Sequence, residues 1–296
     1  MLTSLCSGAG DPEPIREPIR VWGMSGVERL RFDNGRTVIY KYAVEPFDTE
    51  DRILRAAGRA GVRVPQVIAS KALDGILGMI IEDLGEPVRE AGETDGVVAA
   101  VALHEAISDT SLPVMDGDAL AALPELALGH LRRLREIDRW TEDTEDIATT
   151  LETLALAASR RAAGTDLAPF GWVHSEYHPT SLHIGEDGWC LLDFARAFTG
   201  PGLLDLASWH GTVDDPDPAR LRAFIEAYAA AGGAKDALAK RGDLPAEQWA
   251  LGWHRVWTGE WFMEQAVRWI NNPQDDPVYI KVVRRHLTTA VRLLEA

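Results

Sequence analysis

The chain has 296 residues, 46% of them hydrophobic and 26% charged, and its 46 acidic against 30 basic side chains leave a net charge of −16. Nucleic acid is excluded as a partner, because phosphate binding needs a basic surface to release counterions, and no apolar run approaches the roughly 20 residues of a membrane helix. Residues 1–18 lack the basic start and apolar middle of a secretory signal and read as a loose N-terminal arm, while Cys6 and Cys190 show no paired spacing, so a cytoplasmic chain without disulfides is expected.

In chain order, residues 19–22 read as a strand, followed by the small-residue turn Gly23-Met24-Ser25-Gly26 and a second strand over 27–32. Asp33-Asn34-Gly35 makes a hairpin turn into a third strand, 37–42. That strand places Lys41 in an apolar context, where an ammonium needs a carboxylate partner, a phosphate ligand or a route to solvent. A helix is predicted over 48–60, capped by Asp48 or Thr49, with Ile53, Leu54 and Ala57 on one face. Its first-turn Glu50 either complements the helix dipole or pairs with Lys41. Extended chain over 62–69 and a strand over 75–81 complete a small antiparallel, β-rich unit, which ends in Glu82-Asp83-Leu84-Gly85.

From about Thr94 the period changes to that of long helices, the second over 119–137 and the third over 144–163. His104, on the first of them, reads as a core histidine or a ligand. The acidic cluster Glu136, Asp138, Glu142, Asp143, Glu145 and Asp146 is either a solvated helix start or a surface for a cationic substrate. Later helices start at Asp217-Pro218, at Pro245 and near Val278. The middle one carries Trp249, Trp253, Trp257 and Trp261 at fourfold spacing, a core stripe unless its rim stacks on a ring-shaped substrate. The expected organisation is therefore an arm (1–18), a small lobe (19–85) and a larger, mainly helical lobe (86–296).

Between the helices lies a stretch of different character, residues 174–205. Leu182-His183-Ile184 and Trp189-Cys190-Leu191-Leu192 read as paired strands about the turn formers Gly185-Glu186-Asp187-Gly188. That hairpin brings Glu176 and Asp193 to one edge. Carboxylates held at strand ends suit divalent cations and can accept a proton from a hydroxyl. His174, His178, His183 and Cys190 are a weaker candidate for a zinc site, since Pro179 breaks any helix that would align the first two.

These parts resemble the aminoglycoside phosphotransferase and choline kinase branch of the protein-kinase-like fold, over nearly the whole chain after the arm. The family's catalytic loop H-G-D-x-H-P-x-N is matched by His174-Ser175-Glu176-Tyr177-His178-Pro179-Thr180-Ser181, its L-I-D-W motif by Leu191-Leu192-Asp193-Phe194, and its G-P-x-x-x-D-L-A motif by the run from Gly200 to Ala207. The resemblance implies an α+β, two-lobe fold and a kinase-like enzyme that uses ATP and Mg²⁺ to phosphorylate an alcohol group. It implies that Lys41 contacts the α- and β-phosphates and Glu50 positions it. The backbone of Glu82, Asp83 and Leu84 would bind the adenine edge, and Met24 and Ser25 would lie over the phosphates. Asp193 would hold the metal, and Asp205 would cap the catalytic loop. Two positions depart from the pattern: Glu176 stands where the family has its catalytic aspartate, and Ser181 where it has a metal-binding asparagine. The implied acceptor is a small molecule such as an aminoglycoside or other cationic antibiotic. Rival readings are a kinase for Ser/Thr hydroxyls of a ribosomally made peptide, with a partner protein such as a lyase, and a pseudokinase or scaffold without turnover.

Overall fold

Alternation of apolar and polar residues builds the N-terminal sheet. The computed structural model describes residues 14–107 and 112–296 together with Leu2 and Leu5; Cys6 and most of the expected arm lie outside the described residues. Strands β1 (Ile15–Trp22), β2 (Ser25–Arg31), β3 (Thr37–Val44), β4 (Val67–Leu73) and β5 (Ile76–Glu82) form an antiparallel sheet in the order β1-β2-β3-β5-β4. Leu30, Val38, Tyr40 and Ile80 fall on one face and pack with Phe32 and Leu5. Val27, Ile39, Lys41 and Ile81, one register step away, fall on the other.

The arm ends earlier than expected. Ile15–Pro18 belong to β1 and pair with Arg31–Glu28, and the Arg16 guanidinium bonds the buried Glu28 carboxylate at 2.6 and 2.8 Å. Pro18 is tolerated because β1 is an edge strand with a bulge between Pro18 and Arg20. The extended chain predicted to end at Ala69 continues to Leu73, where Asp74 (φ 51°) and Gly75 (φ 75°) make a two-residue turn into β5. Helix α1 (Glu50–Arg59) has Thr49, one of the two expected residues, at its N-cap and buries Ile53, Leu54, Ala56 and Ala57. The two larger side chains contribute about 1.5–3 kcal/mol each by leaving water.

The rest is mainly helical. Helices α2 (Glu93–Glu105), α3 (Gly117–Glu136) and α4 (Glu145–Arg161) precede strand β6 (Phe170–Val173). Strands β7 (Leu182–Gly185) and β8 (Gly188–Leu191) form the predicted hairpin, with Gly185 opposite Gly188, so the turn is Glu186-Asp187 rather than four residues. Strand β9 (Phe198–Pro201) leads into α5 (Leu203–Ser208), which buries Asp205, and then α6 (Pro218–Ala230), α7 (Ala246–Arg268) and α8 (Asp276–Leu294). Asp116 and Asp217 cap α3 and α6 by accepting backbone N–H bonds. No helix among the described residues is long and apolar enough to cross a membrane.

The architecture is the two-lobe α+β one expected, with a β-rich N-lobe and a helical C-lobe. By packing, residues 1–112 and 174–198 form one compact unit, and 113–173 and 199–296 a second. In the second unit the tryptophan stripe is core: Trp249, Trp253, Trp257 and Trp261 are all buried, and the indole N–H groups of Trp249 and Trp253 both donate to the Arg161 carbonyl. The acidic cluster is solvated, with Asp146 paired to Arg284 at 2.5 Å and Glu136 to Arg133 at 2.9 Å. His104 is half-buried.

Candidate active site

Three charged groups from separate elements of the first unit meet at one point. Lys41 on β3 donates to Glu50 on α1 at 2.8 Å and also bonds Asp193, which follows β8. Glu50 and Lys41 are buried, at 1% and 8% exposure, whereas the Asp193 side chain keeps 42% of its surface. Burial alone would lower the Lys41 pKa, but the charges of Glu50 and Asp193 override it and hold the ammonium above its ordinary range. Burial lifts the Glu50 carboxyl, with Lys41 opposing. At Asp193 burial pushes upward as well, yet the charge and hydrogen bond of Lys41 win and hold its carboxyl low. The result is a charged triad in which Asp193 alone faces water.

Beside the triad lies a cavity of about 320 Å³ on the sheet face that carries Val27, Ile39 and Lys41. Its walls are largely aliphatic, from Ile19, Val27, Ile39, Leu54, Ile81 and Leu192, and Glu82, Asp83, Leu84 and Gly85 edge it. Apolar walls with a few polar groups at one end are what a flat aromatic ring bearing a charged tail requires. A larger cleft of about 920 Å³, lined by Arg55, Arg59, Arg63 and the β7–β8 turn, contains neither Lys41 nor Asp193. Volume alone does not choose the site.

The expected adenine edge, Glu82, Asp83 and Leu84, borders the cavity. The Glu82 N–H donates to the Gln66 carbonyl at 2.9 Å and its carboxylate accepts from the Gln66 N–H at 3.2 Å, which ties the first of the three to the chain before β4. Asp83 also accepts from Gly85 N–H at 3.1 Å and from Arg29 at 2.9 Å, while Arg29 reaches Glu86 at 2.9 Å. Nothing local in the sequence marks this clamp, since Arg29 and Asp83 are 54 positions apart. Met24 is buried, and its carbonyl accepts from Val44 N–H at 3.0 Å. Ser25 pairs with Trp22 across a two-residue turn. A Cβ on Gly26 beside it would lie 2.3 Å from the Tyr42 ring, so a larger residue there requires that ring to move. Met24 and Ser25 sit at the end of the sheet and do not line the cavity.

The catalytic-loop candidate is held by its own bonds. His174 is fully buried, bonds the Leu192 carbonyl through Nε2 at 2.6 Å and packs edge-on against Phe194. The buried Tyr177 donates its hydroxyl to the Gly96 carbonyl on α2. Ser181 donates to the Glu176 carbonyl at 2.7 Å, so its one proton closes the loop that carries Glu176. His178 is held below its ordinary pKa by burial, against the charge of Glu176. Ser175 (φ 75°) and Asp193 (φ 64°) both adopt the left-handed conformation, rare for residues with a Cβ and concentrated at functional positions.

The residues fit a magnesium ion. Asp193 offers an exposed carboxylate, and no group of three or more His, Cys, Asp or Glu side chains suited to a metal is present among the described residues. A magnesium ion bound by one carboxylate and otherwise by phosphates and water needs no more.

The sequence pattern of the phosphotransferase enzyme family matches residues 30–241. Among solved structures, a choline/ethanolamine kinase family protein from Mesorhizobium loti is 14% identical, with a TM-score of 0.66 and 100% of this chain and 92% of that one covered. A putative aminoglycoside phosphotransferase from Ralstonia eutropha is 13% identical, with a TM-score of 0.62 and coverage of 96% and 94%. A putative fructosamine-3-kinase from Haemophilus somnus is also 13% identical, at 0.61, with coverage of 98% and 95%. These likenesses show the fold. No curated protein matches the chain.

Proposed function

Since this chain belongs to the phosphotransferase enzyme family, we propose that it transfers the γ-phosphoryl group of Mg-ATP to a hydroxyl of a small molecule. The observation that carries this reading is the Lys41–Glu50–Asp193 triad at the end of an aliphatic cavity. Phosphoryl transfer needs little covalent chemistry from the protein; it needs placement and neutralised charge. The cavity takes the purine, the backbone of Glu82, Asp83 and Leu84 meets its edge, and Lys41 turns its ammonium to the phosphates. Asp193 would hold Mg²⁺, which would supply positive charge to the phosphate oxygens. Met24 and Ser25 cover the phosphate end of the sheet. Glu176 accepts the acceptor's proton as the hydroxyl oxygen forms its bond to phosphorus. The bond to the bridging oxygen breaks and ADP leaves with the electron pair. A glutamate does this proton chemistry as well as an aspartate where the loop sets its distance, and Ser175, Tyr177 and Ser181 fix that loop. Ser181 would serve a second metal only weakly.

The acceptor we favour is an amino-bearing alcohol, such as an aminoglycoside or another cationic antibiotic. The net charge of −16 favours cationic ligands through its field, and the names of the structural relatives refer to aminoglycoside, choline or ethanolamine, and fructosamine. The test is transfer of label from [γ-³²P]ATP to panels of amino sugars, amino alcohols and serine peptides by wild type, Glu176→Gln and Asp193→Ala. Label on an amino alcohol that depends on both carboxylates is the expected result. Equal transfer by all three proteins sinks the assignment, and label on the peptides alone moves the acceptor class to a polypeptide.

A further inference from the structure

The nucleotide-facing side of the sheet holds an arginine to which neither the motifs nor the proposed mechanism gives a task. Arg20 on β1 pairs with Val27 on β2, and Val27 pairs with Lys41 on β3. Residues directly opposite in antiparallel strands project from the same face. Arg20, Val27 and Lys41 therefore form one row across the sheet, pointing to the side where Val27 and Lys41 line the cavity. Two strand spacings of about 4.8 Å put the Arg20 backbone about 10 Å from that of Lys41, within the span of a triphosphate reached by two long side chains.

The bulge is what aims it. Before the irregularity, Glu17 opposes Arg29 and Pro18 opposes Glu28; after it, Arg20 opposes Val27. In regular pairing Ile19 would oppose Val27 and Arg20 would oppose Gly26, on the core side with Glu28 and Tyr40; the bulge leaves Ile19 unpaired and seats Arg20 opposite Val27 instead. Bulges that turn a side chain toward a site are a recurrent device at sheet edges.

Among the described residues its charge is uncommitted. The other cations of these three strands all have carboxylate partners: Arg16 with Glu28, Arg29 with Asp83 and Glu86, Arg31 with Glu17, and Lys41 with Glu50 and Asp193. Arg20 is exposed and has no ion pair among the described residues. Its field nevertheless reaches the site, where it acts on both Asp193 and His178.

We propose that Arg20 is a second phosphate-contacting cation of the active site, engaging the terminal phosphates of the nucleotide from the β1 edge while Lys41 engages the α- and β-phosphates from the centre of the sheet. This rests on the phosphotransferase reading above and deepens it. As the bond from the γ-phosphorus to the bridging oxygen breaks and the acceptor oxygen's bond forms, negative charge shifts onto ADP and the equatorial oxygens. Glu176 takes the acceptor's proton. A guanidinium stays protonated throughout and offers paired N–H donors to those oxygens. Arg20 would thereby supply positive charge that a second metal, held only weakly by the neutral Ser181 hydroxyl, would otherwise bring.

The experiment is calorimetric titration of Mg-ATP, Mg-ADP and adenosine into wild type, Arg20→Gln and Arg20→Lys, with kcat and KM measured alongside. Arg20→Gln should weaken Mg-ATP by about 10- to 100-fold, leave adenosine affinity and melting temperature unchanged, and lower kcat. Lysine, which keeps the charge but not the paired donors, should recover part of the loss. Unchanged Mg-ATP affinity in Arg20→Gln, or an equal loss for adenosine and ATP, overturns the role of Arg20 while the phosphotransferase reading stands. Failure of the wild-type protein to bind Mg-ATP overturns that reading and this role with it.

Discussion

Replacing Glu50 by Gln keeps the size and one oxygen of the side chain and removes its charge from a site that is 1% exposed. The carboxylate lies 2.6 to 2.8 Å from the Lys41 ammonium. Opposite charges about 4 Å apart attract by roughly 4 kcal/mol at an effective dielectric constant near 20, and desolvation withdraws much of that. Breaking a buried pair by removing one member costs about 3–5 kcal/mol, because the other charge is left in place. Asp193 still touches Lys41, so we expect the lower end, about 3 kcal/mol. With each kcal/mol worth about 2–4 °C in a chain of this class, the melting temperature should fall by roughly 6–12 °C. Urea denaturation of wild type, Glu50→Gln and the double variant Lys41→Met/Glu50→Leu measures it. The double variant should recover most of the loss, since apolar side chains of similar volume often replace a buried pair without penalty, while losing nucleotide binding altogether. A Glu50→Gln protein within about 0.5 kcal/mol of wild type would refute the view that this pair is a buried unit.

On acidification, Glu50 should take up its proton before Asp193. Its folded pKa is raised, so protonation favours the folded state as the pH falls through that value; Asp193 has a lowered folded pKa, and its contribution, complete above the ordinary aspartate pKa of about 3.9, is lost only as the pH falls through the folded value. Carboxyl-carbon NMR titration reads both, and the reverse order would contradict the geometry. Tyr177→Phe leaves the Gly96 carbonyl without the bond it accepts and should cost about 1–2 kcal/mol in urea melts, with kcat reduced more than KM as the Glu176 loop loosens. A fall in KM affinity alone would place Tyr177 outside loop positioning.

What the sequence made legible was local or carried by a long motif. The hairpin around Glu186-Asp187 could be read from its flanking glycines and apolar runs, and Asp193 followed from its position after the second run. Lys41 stood out because an ammonium in an apolar strand demands partners, and Glu50 lay close enough in sequence to be proposed as one. The bonds that escaped notice join distant positions: Arg29 to Asp83, and Tyr177 to Gly96, 81 residues away. Neither end of such a pair carries a pattern of its own. The sequence does not mark strand β4 past Ala69, because Ser70-Lys71-Ala72-Leu73 lacks the alternation of a half-buried strand; it is a sheet edge with one neighbour, so little burial is imposed on it. The start of β1 was hidden by Pro18, a residue that argues against a strand except at an edge bulge, which is where it stands.

The tryptophan stripe of α7 determines what intrinsic fluorescence can report. Of the ten tryptophans, Trp140, Trp172, Trp209, Trp249, Trp253, Trp257, Trp261 and Trp269 belong to the second compact unit, and only Trp22 and Trp189 belong to the unit that carries the triad. Emission during unfolding therefore reports mainly on the second unit, and a ligand that steadies the sheet and α1 shifts that signal only as far as the two units unfold together. A probe placed on the β7–β8 hairpin would report on the other unit, and a difference between the two melting curves would measure how far the two units unfold together.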